Sequence, residues 1–471
     1  MLLTHHANGD SRLSLWLRVR EFAVPPSMID TATARRHAGD WAGACAAAGI
    51  DVDLGPRALA RTHGRELADR IRADLRHLAP DLLRWHLPRV APGGLLRPGL
   101  TLSLARYDIE GADGEHPVHL VARTPPAWAD AGQRISLALW DGASRSDAGA
   151  RRHPHPRPSR RFRLDLHRHL WDARRSDELR IRSGADRPPL DDGPATDPEL
   201  PETVPPGHRC AVDRWAAETE ILLRAEGCSD TGTATVRLGA RNRLVLTLSG
   251  PGDGVAAPRL RIAAAPKTDG TRALPVLPDA ATWTLPDLDL IRSGLIEADR
   301  LHPLVAAALV PEHASADSSA TQPRTPGQPR LVDCRGARHR IGLVDGVLVP
   351  LDHDPAEIRR EELLAALTGT PMPCLQAIDE AHRRPECLAD VRERLVHGDI
   401  AGALTVVERL LGPDAPLRDG ALRDELEAAA QRRITYGLFR AGLAGPGPGR
   451  IREGARRPGE HRSHPRHTTA R

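Results

Sequence analysis

The chain is nearly devoid of lysine and asparagine: of its 66 basic residues all but Lys267 are arginine, and only Asn8 and Asn242 carry that amide. Aromatic residues make up 3% of the 471, and there are three methionines. With 41 glycines and 42 prolines beside them, these shortages are the mark of a GC-rich coding bias, so abundant arginine is not in itself a sign of phosphate binding. Cores must be built from Leu, Val and Ala, with the eight tryptophans as the largest anchors. The six cysteines (45, 210, 228, 334, 374 and 387) include no Cys-x-x-Cys pair, which argues against a zinc-knuckle pattern or a disulfide framework and leaves free thiols as the expectation. Long apolar runs are missing as well. Residues 304–310 form one of the longest, far short of the roughly 18 needed to span a bilayer. The first twenty residues lack the apolar stretch and cleavage signal of a secretory leader. These absences predict a cytoplasmic protein.

The net charge of +4 is near balance for this length but is unevenly spread. Residues 145–182 hold twelve arginines against five acids, and 442–471 hold seven against two, leaving the remainder mildly acidic.

Changes of hydrophobic period divide the chain. After an N-terminal segment, 1–26, helical spacing runs through 27–90, with Leu59, Leu67, Ile71, Leu75 and Leu78 on one face. From 93 to 183 the pattern alternates, at Leu100, Leu102 and Leu104 and again in 118–122, 135–140 and 162–166, which predicts a half-buried antiparallel sheet interrupted by a basic insertion. A Pro-, Asp- and Gly-rich linker follows at 184–207, then a mixed α/β region at 208–310, then a polar linker at 311–329 expected to be disordered. Residues 330–441 read as a β-hairpin turning at Asp345-Gly346, followed by helices at 356–367, 373–383, 387–397, 400–411 and about 415–440. A basic tail at 442–471 is expected to be disordered. The fold class is therefore α+β, with helical N-terminal and C-terminal domains flanking a β-rich antiparallel middle.

Gly-Asp-x-Ala-Gly-Ala occurs twice, at 39–44 and 398–403. The first glycine suits the left-handed residue that ends one helix, and Asp40 or Asp399 can cap the next, so the phrase reads as a helical hairpin corner without chemistry.

Templates for chemistry fit poorly. His153, His155, His167 and His169 form two His-x-His pairs, and Asp352-His353-Asp354 brings three donor types together. The histidines sit in a basic stretch, however, and Asp354 is claimed as the cap of the helix that Pro355 starts. Gly250-Pro251-Gly252-Asp253-Gly254 joins two strands and lacks the Lys-Ser/Thr end of a phosphate loop. Asp287 with Asp289, and Asp379 with Glu380, are acid-base pairs of the kind that any solvated helix carries. The expectation is no metal and no cofactor, and no catalytic residue is assigned. Trp41, Trp85 and His86 are the candidate partner contacts, against the alternative that they are core anchors. Candidate nucleic-acid contacts are Arg151, Arg152, Arg160, Arg161, Arg163, Arg338 and Arg340, with Phe162 and Trp171 able to stack on bases.

In residues 36–45, 74–88 and 351–357 the chain resembles a group of uncharacterised proteins from GC-rich actinobacteria. The resemblance covers the helical ends, implies a bacterial cytoplasmic setting and transfers no functional residue. The leading reading is a non-enzymatic scaffold or adaptor that binds another protein. A nucleic-acid-associated protein using 145–182 and 442–471 is the first alternative, and a divergent enzyme with its site in the β-rich middle is the second.

Overall fold

The computed structural model describes residues 12–108, 117–130, 132–142, 153–187, 209–228, 231–239, 242–249, 259–265, 273–311 and 329–443. Arg151, Arg152, the glycine-rich stretch at 250–254, most of both linkers and nearly all of the basic tail lie outside the described residues. The chain divides into two units, one holding Met1–Trp128 and Arg134–Ser318 and the other holding Ala129–Gln133 and Ser319–Ala444. Helices at both ends and antiparallel sheets in the middle give the expected α+β architecture. Among the described residues, no helix is long and apolar enough to cross a membrane.

In the first unit a helical stretch at 12–18 runs into a π-helical segment, Val19–Ala23. Helices α1 (Pro26–His37), α2 (Trp41–Ala47), α3 (Pro56–His63), α4 (Arg65–His77) and α5 (Pro80–His86) follow, with strand β1 (Ile50–Val52) between α2 and α3. A small ladder of β2 (Arg89–Val90) and β3 (Leu95–Leu96) leads to β4 (Thr101–Tyr107), β5 (Val118–Arg123) and β6 (Ile135–Trp140). The main sheet has the order β1-β6-β5-β4, antiparallel except for the parallel β1–β6 edge. Residues 50–52, within the stretch read as helical, are thus a strand, because Ile50 is drawn into the core beside Ile135.

The expected half-buried alternation of β4 also fails: every residue but Arg106 is buried. The cause is the basic stretch, which pairs with the free edge of the strand. His155 accepts from Thr101 Oγ1 at 2.7 Å, and the amides of Ser159 and Asp165 donate to the carbonyls of Thr101 and Ser103. Residues 162–166 are accordingly turns rather than a strand.

Beyond α6 (Glu178–Ser183) and α7 (Val212–Ala225), strands β7 (Gly232–Arg237), β8 (Arg243–Ser249) and β9 (Arg259–Ala264) form an antiparallel meander, and α8 (Pro286–Arg292) and α9 (Pro303–Leu309) close the unit. Burial along β8 alternates as the sequence predicts. One core joins Leu15–Ile29, helices α4 and α5, strands β4–β6, and Leu285–Leu309. Leu and Ala side chains need neighbours from every layer to exclude water when rings are few.

Charges are buried in this core. Arg20 and Asp287 are 2% and 0% exposed and pair at 3.0 Å. Trp85 Nε1 donates to the second Asp287 oxygen at 2.7 Å, and the Arg20 guanidinium lies 4.1 Å above the Trp85 ring. His302 caps α9, accepting from the Leu304 amide through Nδ1, and its Nε2 lies 3.0 Å from Asp81. Glu218 accepts from Arg182 at 2.5 and 2.7 Å and pairs with His167 at 3.1 Å.

The second unit begins with β10 (Arg330–Cys334), β11 (Ala337–Val344) and β12 (Val347–Pro350), an antiparallel meander. Asp345 and Gly346 both have positive φ, +50° and +76°, as the tight primed turn demands. Helices α10 (Pro355–Thr368), α11 (Pro373–Arg383), α12 (Leu388–His397), α13 (Ile400–Leu411) and α14 (Ala421–Ala441) follow, close to the sequence expectation except that α14 starts later. Both repeated corners are built alike. Gly39 and Gly398 are left-handed, and Asp40 and Asp399 accept from the amides of Gly43 and Gly402 at 2.8 and 2.9 Å. Arg35 and Arg394, each five residues before the aspartate, hold its other oxygen at 2.8 Å.

Asp287→Ala leaves Arg20 buried and unpaired; denaturant unfolding should show a loss of about 3–5 kcal/mol, the range for breaking a buried pair. Burial pushes the Glu218 carboxyl up, but hydrogen bonds from His167 and Arg182 outweigh it and hold the group at about 2, against an ordinary 4.5. A depressed carboxyl contributes fully above its unfolded value, so this stability should fade as pH falls from 4.5 towards 2, and Glu218→Gln should flatten that limb of an acid titration followed by circular dichroism.

Candidate metal centre

The second unit brings together three residues that lie far apart in the sequence. Cys334 closes β10, directly before a two-residue turn in which Arg335 and Gly336 take φ of +52° and +84°. His353 stands between β12 and α10, and Cys374 lies in the first turn of α11, behind a proline that needs no amide partner. One potential ligand atom from each lies within 4.8 Å of the others. Around a zinc-class ion with bonds of about 2.3 Å to sulfur and 2.0 Å to nitrogen, tetrahedral ligand atoms stand roughly 3.5–3.8 Å apart, so binding would draw these in by about 1 Å at most.

The surroundings suit the same chemistry. Both cysteines are fully buried and the His353 side chain is 4% exposed. His353 Nδ1 lies 3.2 Å from Glu357 Oε2, while Nε2 is buried without a hydrogen-bond partner. With Nδ1–H donating to the carboxylate, Nε2 carries the lone pair, which is the arrangement that orients a ligating imidazole. Glu357 is fixed in turn by Arg335 at 2.8 Å, and Arg335 also pairs with Glu361. Burial pushes the Cys374 thiol up to about 12, and the neighbouring Cys334 thiol adds to the effect. Two sulfurs and an imidazole select a soft or borderline ion and exclude calcium and magnesium.

The neighbours of His353 are otherwise engaged. Asp354 caps α10, accepting from the Ala356 amide at 2.7 Å as expected. Asp352 accepts from the Arg340 amide and guanidinium, each at 2.7 Å, which hold its carboxyl at about 2. The expectation of no metal site therefore gives way to a candidate centre on Cys334, His353 and Cys374. The spacing concealed it, since the three residues lie 19 and 21 positions apart.

The other candidates fare differently. Trp85 is 1% exposed and has no face left for a partner, so it takes the core role; Trp41 is half-buried against the same core. His86 is half-buried, and burial lowers it to about 4. Phe162 and Trp171 are buried and cannot stack on bases, because a chain with so few rings spends them inside. Arg161 pairs with Asp279, Arg163 with Asp165 and Glu226, and Arg340 with Asp352. Arg160 and Arg338 are exposed, the latter 3.7 Å from Asp333. Asp287 and Asp289 are held by Arg20 and Arg12, and Asp379 by Arg383 and Arg418, which leaves no free acid-base pair among them. His167 and His169 lie in a turn with ring centres 5.8 Å apart, but His167 is bound to Glu218. The cavity beside His169 has a volume of about 10 Å³, room for one water.

No family model, curated protein or solved structure matches the chain. The reading of this centre thus stands on its own geometry.

Cys334→Ser and Cys374→Ser should each abolish retention of one zinc per chain through gel filtration, measured by plasma mass spectrometry, while Cys45→Ser retains it. Glu357→Ala should weaken zinc binding by about 10–100-fold, the usual cost of losing the partner that orients a ligating histidine.

Proposed function

We propose that the protein is a non-enzymatic interaction scaffold whose second unit is organised by a zinc-class ion on Cys334, His353 and Cys374. The observation that carries this is the buried, unpartnered Nε2 of His353 beside two buried thiols. An apolar pocket has no use for an imidazole with a bare lone pair, since a buried polar atom without a partner costs about 1–3 kcal/mol. A metal removes that cost.

The placement of α10 supports a role for such an ion. This helix of 14 residues has no buried side chain, yet it is framed by two ligands, His353 just before its start and Cys374 just after the loop at its end. Glu357, Ile358, Glu361 and Ala365 form its half-buried face. Leu363 and Leu367 lie on the opposite face at 70% and 85% exposure, and Leu364 flanks the glutamates at 43%. A helix that faces its unit with carboxylates and solvent with leucines is arranged for display. An ion at its two ends would fix the display without using the leucines, leaving them for contact with another protein.

Hydrogen exchange on the zinc-loaded and chelator-stripped full chain tests the reading. Amides of 355–368 should be protected in the loaded form and exchange rapidly after stripping. An ion present at a thousandfold excess over its dissociation constant adds about 4 kcal/mol of stability, which should also raise the melting temperature of this unit. Unchanged protection of α10 would contradict the proposal.

A further inference from the structure

Of the fourteen large apolar side chains exposed among the described residues, eleven lie in the second unit and three of those on α10. Apolar surface gathered in this way is surface to be covered. Resting on the reading of α10 as a displayed helix, we infer that what covers it is a second copy of this chain, the two α10 helices packing antiparallel about a two-fold axis.

The spacing of the outward residues carries the argument. Ala356, Arg360, Leu363 and Leu367 follow one another at intervals of four, three and four, which lines them up in a single stripe of the kind that seams two helices together. All four are exposed. The stripe is symmetric about the midpoint between residues 361 and 362. Turning a second copy end for end therefore sets Leu367 of each helix on Ala356 of the other, and Leu363 on the aliphatic stem of Arg360. A large side chain meets a small one at each end, and no two leucines compete for one place.

Charge selects the same partner. Arg359 and Glu362 lie together on one flank of the stripe, both are exposed, and no ion pair among the described residues uses either. The other acids of the helix that face Arg335, Glu357 and Glu361, are turned inward. In an antiparallel two-fold pair each flank faces its own copy, so Arg359 of one chain stands beside Glu362 of the other and the contact occurs twice, both times between opposite charges. A parallel pair would instead set Arg359 against Arg359 and Arg360 against Arg360. One pair of 14-residue helices covers less than the roughly 1,200–2,000 Å² of a stable interface, so the association should be weak and visible as a dependence on concentration.

Sedimentation velocity on the zinc-loaded full chain at rising concentration tests this, with the zinc content of each sample measured alongside. The wild type should pass from monomer to dimer. Leu367→Glu, at a side chain 85% exposed and so free of internal packing, should keep its zinc and remain a monomer. Arg359→Glu and Glu362→Arg should each weaken the dimer by about tenfold, because each substitution places like charges together on both sides of the axis. Combining the two should restore it, since the opposite charges then face each other with their places exchanged. A wild type that holds zinc yet stays a monomer would overturn the dimer and leave the metal centre standing. A dimer unchanged by Leu367→Glu, or single reversals whose combination restores nothing, would overturn the antiparallel α10 pairing. A chain that holds no zinc would overturn the centre, and this inference with it.

Discussion

Helix α10 buries no side chain of its own, and the rest of the second unit's functional logic follows from how such a helix can be held. A helix of this length is marginal in water unless an apolar face packs against something. Here the inward face carries Glu357 and Glu361, both bound to Arg335 in the β10–β11 turn, while the leucines face outward. Exposed ion pairs contribute little individually. The strongest fixed points available are the two residues that frame the helix, and both contribute to the cluster with Cys334. Arg335 joins the two systems, since it follows Cys334 and bonds the glutamate that orients His353.

The first unit answers the shortage of aromatic residues in another way. Its core is mostly Leu and Ala with a few large anchors, and one of these, Trp85, is tied to Asp287, which pairs with Arg20 across 267 positions of sequence. Arginine, so abundant here, serves inside as well as outside: Arg84 is 1% exposed and donates to the Ala23 carbonyl. The basic stretch behaves likewise, with Arg161 and Arg163 in ion pairs and its backbone pairing along the free edge of β4. That use of arginine removes much of the ground for reading 145–182 as a nucleic-acid surface.

Local structure was legible wherever local chemistry determines it. Asp345-Gly346 predicts its turn because both residues tolerate positive φ, and Asp40, Asp354 and Asp399 predict helix starts because a short carboxylate reaches the free amides. What depends on tertiary contact was not legible. Ile50–Val52 is too short to announce itself as a strand and forms one only by pairing with β6. Nor does the change of period near residue 90 announce that one core takes side chains from both sides of it. The candidate metal centre was hidden for a related reason: its residues come from a strand end, a loop and a helix start, and no pair of them has the short spacing that marks a knuckle. The usable signals were weaker, namely Cys334 directly before a tight turn and Cys374 directly behind the proline of a helix start, two rigid places for a thiol.

The central claim is that an ion sits between Cys334, His353 and Cys374. Crystals of the full chain grown with zinc and measured on either side of the zinc absorption edge would locate it directly. The account predicts one strong anomalous peak per chain, within bonding distance of both sulfurs and of His353 Nε2. A map with no peak there, or with a disulfide joining the two cysteines, would contradict it.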